Sequence, residues 1–324
     1  MKMLNTISII ASVALLLGCN GKATTSGESS QPSTTQQPTM QFNADSAFAE
    51  VERQCSFGPR VPETPAHEQC GAYLQEKLMQ WCDTVYVQKA NLTTFDHKTL
   101  HATNYIGVIN PDASQRLLLL AHWDCRPWAD NDPDPANHDK AVMGANDAAS
   151  GVAVLLEVAR QLSQNKPGIG VDILLVDAED WGSDSDESSW ALGTQYWAKN
   201  PHIEGYQPMY GILLDMVGAK GAQFAQEGFS LQVAQALVNS LWQTAQEAGY
   251  GNYFTTRTGG YVTDDHVSLI KAGIACIDVI DMRHDTPSGF FKHWHTTSDT
   301  LDQIDRGTLK AVGQTLLHFI YSIQ

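Results

Sequence analysis

The sequence is short of positive charge and of closely spaced cysteines. Its 324 residues contain 20 Lys and Arg against 36 Asp and Glu, which gives a formal net charge of −16. Such an acidic excess repels phosphate backbones and anionic membrane surfaces, so we expect no nucleic-acid partner. None of the six cysteines belongs to a C-x-x-C pair, and we therefore assign none of them to a zinc site.

A long hydrophobic run is also missing, because the apolar stretch near the N-terminus is too short to span a bilayer. It covers residues 7–17, follows Lys2 and leads into Leu16-Leu-Gly-Cys19. This pattern resembles a bacterial lipobox, which implies that residues 1–18 are a lipoprotein signal peptide and that Cys19 is lipidated. We therefore expect an exported, periplasm-facing protein anchored to a membrane only through Cys19, with inner and outer membrane both left open.

The segment after the lipobox and the remaining cysteines add two expectations. Residues 20 to about 40 are rich in Ser, Thr, Gln, Gly and Pro, so we predict a disordered tether over 19–41. Without Cys19 the chain keeps an odd number of cysteines. At least one thiol should therefore be free or buried, even in an oxidising compartment.

Alternating strand and helix patterns dominate the rest of the chain, and no internal repeat is found. Continuous apolar runs such as 116–122 and 171–176 are typical of strands covered on both faces by helices. The sequence therefore predicts one α/β domain, residues 42–324, an α/β/α sandwich around a mixed, mostly parallel sheet. The predicted strands are 84–92, 102–109, 116–122, 171–176, 211–217 and 273–280; the predicted helices are 44–55, one opening at Thr64-Pro65, 148–162, 189–199, 230–248 and 308–320.

Acidic and histidine side chains follow the strongest strands. The run 171–176 leads directly into Glu179 and Asp180, and ligands collect at the carboxyl edge of open α/β sheets. Two neighbouring carboxylates point in different directions, so one can hold a metal while the other faces a substrate. Asp215 lies inside an otherwise apolar strand, where an acid is costly unless it is paired, hydrogen-bonded or bound to a cation.

Further clusters have the residue types of a metal centre. They are His122-Trp-Asp124, Gly144-Ala-Asn-Asp-Ala-Ala-Ser-Gly151, Thr263-Asp-Asp-His266 and His293-Trp-His295. Histidine with carboxylates and without cysteine suits catalytic Zn²⁺, whereas Mg²⁺ prefers carboxylates alone. The run Asp130-Asn-Asp-Pro-Asp134 begins like a calcium loop but lacks its Gly and its final Glu, so we expect no calcium there.

In combination these motifs resemble those of zinc-dependent exopeptidases of the aminopeptidase type. Within that group they resemble the glutaminyl-peptide cyclotransferases, particularly the bacterial enzymes related to those of animals. The resemblance runs from about Asp45 to the C-terminus. It rests on His-x-Asp, Gly-Ala-Asn-Asp-x-x-Ser-Gly, the acidic pair and Trp-His-Thr, each weak alone and specific together.

The resemblance implies one catalytic Zn²⁺ per chain, held by Asp147, Asp180 and His295. It assigns Glu179 as the general acid and base and Trp294 as an aromatic wall of the substrate pocket. Asp180 departs from the pattern, because aminopeptidases usually have Glu there and a shorter ligand requires a backbone shift.

Two more acids receive a role only through the resemblance. In the cyclotransferases the residues matching Asp215 and Asp264 form an acid–acid hydrogen-bond network near the substrate. A His that the animal enzymes carry at the position of Asp278 is absent here, so that part of the network must differ. The aminopeptidases instead bind two zinc ions and use His122 and Asp215 as additional ligands.

The implied activity is conversion of the N-terminal Gln of peptides or proteins to pyroglutamate with release of ammonia. Glu179, Asp215 and Asp264 would be its catalytic residues. A dizinc aminopeptidase is the main alternative, because it needs the same metal site and the same base. A peptide-binding lipoprotein on a disabled peptidase scaffold is the non-enzymatic alternative, against which the intact acids and His295 argue.

Overall fold

The computed structural model describes residues 40–323, in which strands and helices alternate along the chain. The strands are β1 (Thr84–Thr93), β2 (Thr99–Ile109), β3 (Arg116–His122), β4 (Gly170–Val176), β5 (Tyr210–Asp215), β6 (Phe224–Gln226), β7 (Phe254–Thr258) and β8 (Cys276–Ile280). The α-helices are α1 (Ala44–Cys55), α2 (Pro65–Trp81), α3 (Ala149–Gln164), α4 (Leu192–Lys199), α5 (Gly228–Glu247), α6 (Asp265–Lys271) and α7 (Arg306–Ser322).

Six of these strands form a mixed central sheet in the order β1-β2-β4-β3-β5-β8. β1 and β2 pair antiparallel, as do β2 and β4, whereas β4, β3, β5 and β8 run parallel to one another. β3, α3 and β4 form a βαβ unit, in which β3 and β4 are parallel neighbours. The carboxyl ends of the four parallel strands therefore meet at one edge of the sheet.

Helices cover both faces of this sheet, and the leucines of β3 show how. Leu117 and Leu119 pack into the core under α1, α2, α3, α5 and α7, whereas Leu118 and Leu120 face α4 and α6. All four are fully buried, as expected when successive side chains of a strand point to opposite faces. The predicted α/β/α sandwich with a mixed, mostly parallel sheet is confirmed.

Side-chain caps fix several helix starts. Asn43 accepts hydrogen bonds from the backbone N–H groups of Asp45 and Ser46 at the start of α1. Thr64 caps α2, whose first residue is Pro65, so the predicted opening of that helix is confirmed.

Three short elements were not predicted from the sequence, and some predicted boundaries differ from the observed ones. β6, β7 and α6, of three, five and seven residues, were not predicted. α4 begins at Leu192 rather than residue 189, because a 3-10 turn at Glu187–Ser189 precedes it. β8 begins at Cys276 rather than residue 273. Short elements carry little periodicity, so tertiary packing decides where they form.

Two findings concern expectations about the ends of the chain and its thiols. The predicted signal peptide, Cys19 and nearly all of the predicted tether lie outside the described residues. Within 40–323, no helix combines the length and the apolar content needed to cross a membrane. The five cysteines of this range are free thiols, and three of them, Cys70, Cys125 and Cys276, are buried.

Candidate metal centre and active-site pocket

The predicted metal ligands Asp147, Asp180 and His295 lie together at the carboxyl edge of the sheet. One ligand atom from each lies within 4.8 Å of the others. The His295 Nε2 atom is 3.1 Å from an Asp180 oxygen and 3.7 Å from an Asp147 oxygen. Asp147 lies two residues before α3 and Asp180 follows β4, so two elements of the βαβ unit converge on His295.

A second group of possible ligands shares Asp147 with the first. The His122 Nε2 atom lies 2.9 Å from an Asp147 oxygen and 3.3 Å from an Asp215 oxygen. His122 ends β3 and Asp215 ends β5, two neighbouring parallel strands. The structure thus brings together both residues that a dizinc centre would use in addition to the first group.

The first group fits a zinc ion by its chemistry and burial. Asp147, Asp180 and His295 are each at most 4% exposed, and apart from the His295 imidazole the Asp180 carboxylate has no hydrogen-bond donor. Buried carboxylates without donors are costly unless a cation compensates them. Burial pushes the pKa of Asp147 up, but the nearby His122 and His295 outweigh it and lower that pKa. Two carboxylates and one imidazole leave a fourth zinc position open, as in catalytic sites.

Asp124 and Arg126 orient the acidic pair. The Asp124 carboxylate accepts hydrogen bonds from the backbone N–H groups of Glu179 and Asp180, both at 3.1 Å. The Arg126 guanidinium donates to the Asp180 carbonyl at 3.0 Å and to the Gly182 carbonyl at 3.1 Å. These contacts fix the main chain of the loop after β4. The two neighbouring carboxylates therefore keep separate directions.

The motif Gly144–Gly151 positions Asp147 through its own polar groups. The Asn146 side-chain oxygen accepts a hydrogen bond from Gly218, and the Asp299 carboxylate accepts from the backbone N–H groups of Asn146 and Asp147. A Cβ atom on Gly151 would lie 2.3 Å from the carbonyl oxygen of Leu214. Gly is therefore required where α3 approaches β5. Asp299 was not singled out from the sequence, although it follows His295 by only four residues.

A pocket of about 270 Å³ opens beside the metal group. Glu179, Asp215, Asp264 and Trp294, the predicted catalytic and substrate-binding residues, all line it together with Asp147 and His295. Glu179 is 8% exposed, and burial holds its pKa well above the usual range, with His122 opposing the shift. The pocket thus joins the metal group (Asp147, Asp180 and His295) to the three predicted catalytic carboxylates.

Aromatic side chains wall this pocket on two sides. The ring of Trp294 stacks on His295 with centroids 4.0 Å apart, and Trp190 lies parallel to His295 at 6.0 Å. The Arg126 guanidinium lies 4.7 Å from the Trp190 ring centroid. Phe290 contacts Trp294 and also lines the pocket. Trp190 could not be recognised as a site residue from its sequence surroundings, because nothing around it indicates that its loop folds back over the site.

A cluster of acids continues behind Asp264. Asp264, His266 and Asp278 offer atoms within 4.8 Å of one another, and Asp265 adjoins them. The carboxylate oxygens of Asp265 and Asp278 have no hydrogen-bond partner. Burial, reinforced by neighbouring carboxylates, raises the pKa values of Asp265 and Asp278 well above normal. Burial and Asp147 raise that of Asp215 to about 7. Raised pKa values favour the protonated form of these carboxyl groups.

Glu227 ties this cluster to the wall of the pocket. Its fully buried carboxylate accepts hydrogen bonds from the backbone N–H groups of Phe229, Ser230 and Val262. Val262 belongs to the irregular segment that leads into Asp264. Burial pushes the pKa of Glu227 up, but the His266 imidazole and the backbone donors lower it to about 2.

The contacts of Glu227 extend to α6 and β8. An oxygen of Glu227 lies 3.2 Å from Nε2 of His266, the second residue of the helix that Asp264 caps. Ser230 Oγ donates to Glu227 and accepts a hydrogen bond from the backbone of Asp278. One buried carboxylate thus connects the start of α5, the segment before α6, α6 itself and β8. This arrangement fixes where Asp264 stands in the pocket.

Other residues noted in the sequence lie outside these groups. Asp130 pairs with Arg126, and Asp132 accepts hydrogen bonds from the backbone and side chain of Thr297. The run 130–134 thus has a structural role, and among residues 40–323 it belongs to no group with metal-binding geometry. His293 likewise belongs to none of the three groups.

Known proteins share this fold and these sequence features. The model of peptidase family M28 matches residues 104–320. A Zn-dependent exopeptidase from Parabacteroides distasonis is 50% identical, with a TM-score of 0.85 over 87% of this chain and 98% of that one. Glutaminyl cyclase from Bacteroides thetaiotaomicron is 46% identical, with a TM-score of 0.86 over 88% and 99%. Glutaminyl-peptide cyclotransferase from Bothrops jararaca is 26% identical over 259 residues, 70% of this chain and 67% of that protein.

These similarities agree with the resemblance noted in the sequence motifs. The predicted zinc cofactor is confirmed by the family and by the metal-binding geometry of the described residues. The family model covers more than half of the chain, and the solved structures align along nearly their whole length. This chain belongs to peptidase family M28.

Proposed function

We propose that this protein is a zinc-dependent glutaminyl-peptide cyclotransferase that converts the N-terminal Gln of peptides and proteins to pyroglutamate and releases ammonia. The observation that carries the proposal is the pocket in which Glu179, Asp215 and Asp264 adjoin the Asp147, Asp180 and His295 group. The 46% identity to a bacterial glutaminyl cyclase supports it.

The proposed metal ligands are Asp147, Asp180 and His295, with one Zn²⁺ per chain. When bound there, zinc supplies Lewis-acid polarisation of the side-chain carbonyl of the substrate glutamine. Asp147 would be shared between this zinc and His122, whose contact at 2.9 Å holds the carboxylate in place.

Glu179 is the proposed proton carrier. The substrate α-amine attacks the side-chain carbonyl carbon, a C–N bond forms, and Glu179 accepts the proton that the amine loses. The same carboxyl then returns the proton to the departing amide nitrogen as its C–N bond breaks, so ammonia leaves and no external water is consumed. The Asp124 contact to the backbone of Glu179 keeps the carboxylate in reach for both transfers.

Asp215 and Asp264 are the proposed partners of the substrate nitrogens. Both line the pocket and both have raised pKa values, through burial and neighbouring charged groups. Carboxyl groups with raised pKa values can donate to a nitrogen when protonated and accept from one when ionised. Trp294 would wall the pocket and exclude water, which disfavours hydrolysis of the same amide.

Incubation with matched peptides tests this proposal. Ammonia release from a Gln-peptide without chain shortening supports cyclisation, whereas a free amino acid from a Leu-peptide would establish an aminopeptidase. If neither ammonia nor a free amino acid is released, the protein is a binding protein rather than an enzyme. Glu179→Gln should abolish ammonia release and serves as the control for contaminating activity.

The aminopeptidase alternative is favoured by one observation, the His122, Asp147 and Asp215 group that could hold a second metal. Metal analysis of protein purified without added zinc separates the two functions. One tightly held zinc per chain agrees with the cyclotransferase. Two tightly held zinc ions, both needed for activity, would rule it out.

We also propose that the protein is exported and tethered to a membrane through lipid on Cys19, so that the pocket faces the periplasm. The proposal is supported by the sequence Leu16-Leu-Gly-Cys19 after a short apolar run. Labelling of cells with a radioactive fatty acid should mark the wild-type protein and leave Cys19→Ala unmarked. Equal labelling of both would contradict lipidation at this residue.

A further inference from the structure

We infer that the groove between α4 and α6 binds the substrate chain beyond its N-terminal residue and accepts an acidic group about four residues downstream. This inference rests on the proposed function. The groove has a volume of about 420 Å³. Gln195 and Lys199 of α4 line one side, and Val267, Ser268 and Lys271 of α6 line the other.

The groove continues from the active-site pocket. The groove and the pocket share four lining residues, Glu187, Trp190, Thr263 and Asp264. The two spaces therefore adjoin each other. A peptide whose first residue occupies the pocket must leave it through an opening. The groove offers such a path along the surface, with Trp190 and Asp264 at its start.

Hydrogen bonds hold the rim of the groove in place. The Gln195 side-chain amide donates to the carbonyl oxygens of Ser188 and Trp190, both at 2.8 Å. The Trp190 indole N–H donates to the Ser183 carbonyl at 3.2 Å. These contacts tie the irregular segment before α4 to the helix, so the groove is largely formed before a peptide arrives.

The length of the two helices sets the position of the acidic group. Both begin at the pocket, α4 just after Trp190 and α6 at Asp264, and both end in a lysine, Lys199 and Lys271. At about 1.5 Å per helical residue, the lysines lie roughly 10 to 13 Å from the pocket. An extended peptide covers this distance in about three to four residues at ~3.3 Å each. Substrate residues four and five therefore reach the lysines.

The charges along the groove differ between its two ends. Asp184 and Glu187 stand at the pocket mouth, whereas Lys199 and Lys271 stand at the far end. Both lysines are exposed, and neither forms an ion pair with any residue of 40–323. In a chain with a net charge of −16, two unpaired lysines at one end form a local site for a carboxylate.

A helix-stabilising role is the competing explanation, because lysine in a last turn offsets the helix dipole. The two roles differ in what they predict for substrates. A dipole role leaves kcat/KM independent of peptide charge, whereas a binding role makes it depend on where the acidic residue stands.

A series of amidated Gln-peptides tests the inference. Each peptide carries a single Glu or a single Lys at one position between two and six. With the wild-type enzyme we expect Glu at position four or five to raise kcat/KM by about 3-fold to 10-fold over Lys, mainly through KM. The preference should shrink at high ionic strength, since the lysines are exposed. The Lys199→Glu/Lys271→Glu double variant should reverse it.

Lys310→Glu is the matched control for Lys271→Glu. Lys310 is an exposed lysine of α7, on the opposite face of the sheet, and it also lacks an ion pair within 40–323. Both variants change the net charge equally, but only Lys271→Glu should change the preference. Equal kcat/KM for all peptides, or equal effects of both variants, would overturn the inference. If the wild-type enzyme cyclises no peptide, the proposed function fails instead.

Discussion

Two groups of buried acids flank the same pocket and are balanced in different ways. In the metal group, Asp147 is contacted by two imidazoles, those of His122 and His295. In the acid cluster, Asp265 and Asp278 face other carboxylates, and the imidazole of His266 is shared with Glu227. The same residue type therefore meets opposite surroundings on the two sides of the pocket.

The difference appears in the pKa shifts of Asp147 and Asp278, although burial raises the pKa of Asp180 in the metal group as well. Burial raises all of these pKa values, but the neighbouring histidines reverse the effect for Asp147 and lower its pKa. For Asp278, neighbouring carboxylates add to the effect of burial, and its pKa lies well above normal. A cation therefore suits the first group, whereas shared protons suit the second. Four changes test this contrast.

Removal of a metal ligand should have the largest effect. Asp180→Ala or His295→Ala removes one of the three proposed zinc ligands, and we expect loss of bound zinc and a fall in kcat/KM of at least ~10³-fold. Zinc content and turnover of Gln-peptides measure both. A chelator should inactivate the wild-type protein, and added zinc should restore it. His293→Ala is the control, since His293 belongs to none of the metal-binding groups, and loss of zinc in this variant would contradict the assignment.

Glu179→Gln should leave zinc in place and lower kcat by at least ~10²-fold, because the amide keeps the shape of the side chain but cannot accept a proton. Zinc content and single-turnover rates distinguish it from the Asp180 variants. If Glu179→Gln loses the metal while Asp180→Ala keeps both metal and activity, the roles of the two neighbours are reversed.

Glu227→Gln should lower kcat by about 10-fold with zinc retained, because the contacts to Val262 and His266 that hold the chain on either side of Asp264 are weakened. The loss should largely disappear in an Asp264→Asn background, since both changes act on the same group. Glu157→Gln is the matched control, a buried glutamate of α3 that accepts from Arg160 and Gln161. Additive losses of kcat for Glu227→Gln and Asp264→Asn would show that Glu227 acts independently of Asp264 and would contradict the positioning role.

Asp278→Asn should have the smallest effect and change stability rather than turnover. A carboxyl whose folded pKa is raised contributes stability that is present below the unfolded pKa of ~3.9 and lost as pH rises through the folded pKa. Asparagine does not ionise, so the Asp278→Asn variant has no such loss. At saturating zinc, its free energy of unfolding relative to that of the wild type should therefore increase by about 1 kcal/mol from pH 5 to pH 8, which corresponds to ~2–4 °C in Tm.

Asp172→Asn provides the opposite control for this stability measurement. The buried Asp172 carboxylate accepts hydrogen bonds from Arg116 at 2.8 Å and from Tyr206 at 2.6 Å. Loss of its charge leaves a guanidinium without its partner, so this variant should be less stable at both pH values. If the Tm difference between Asp278→Asn and wild type does not change with pH, protonation of Asp278 does not contribute to the stability of the fold.

The metal group could be predicted because each ligand stands in a recognisable place in the sequence. Asp180 follows a continuous apolar strand, Asp147 lies in a Gly-rich motif before a periodic helix, and His295 lies in Trp-His-Thr. The parallel strands then bring these ends to one edge of the sheet. Their roles remain predictions until the variants are measured.

The support around the site could not be predicted to the same extent. Glu227 reads as an ordinary acid before a helix, and its contact with Val262 joins residues 35 positions apart. α6 is seven residues long, too short for a helical pattern to stand out. Trp190 reaches His295 only because its loop folds back across the carboxyl edge. These contacts depend on tertiary packing, which sequence spacing does not contain.

The close approach at Gly151 bears on how the site responds to heat. α3 meets β5 main chain to main chain, with the Leu214 carbonyl oxygen where a side chain of residue 151 would begin. Asp147 and Asp215 stand at the ends of these two elements. A contact between backbones does not loosen when side chains change rotamer, so the spacing of the two carboxylates should not drift on warming. Activity should therefore persist up to the cooperative unfolding transition and disappear with it.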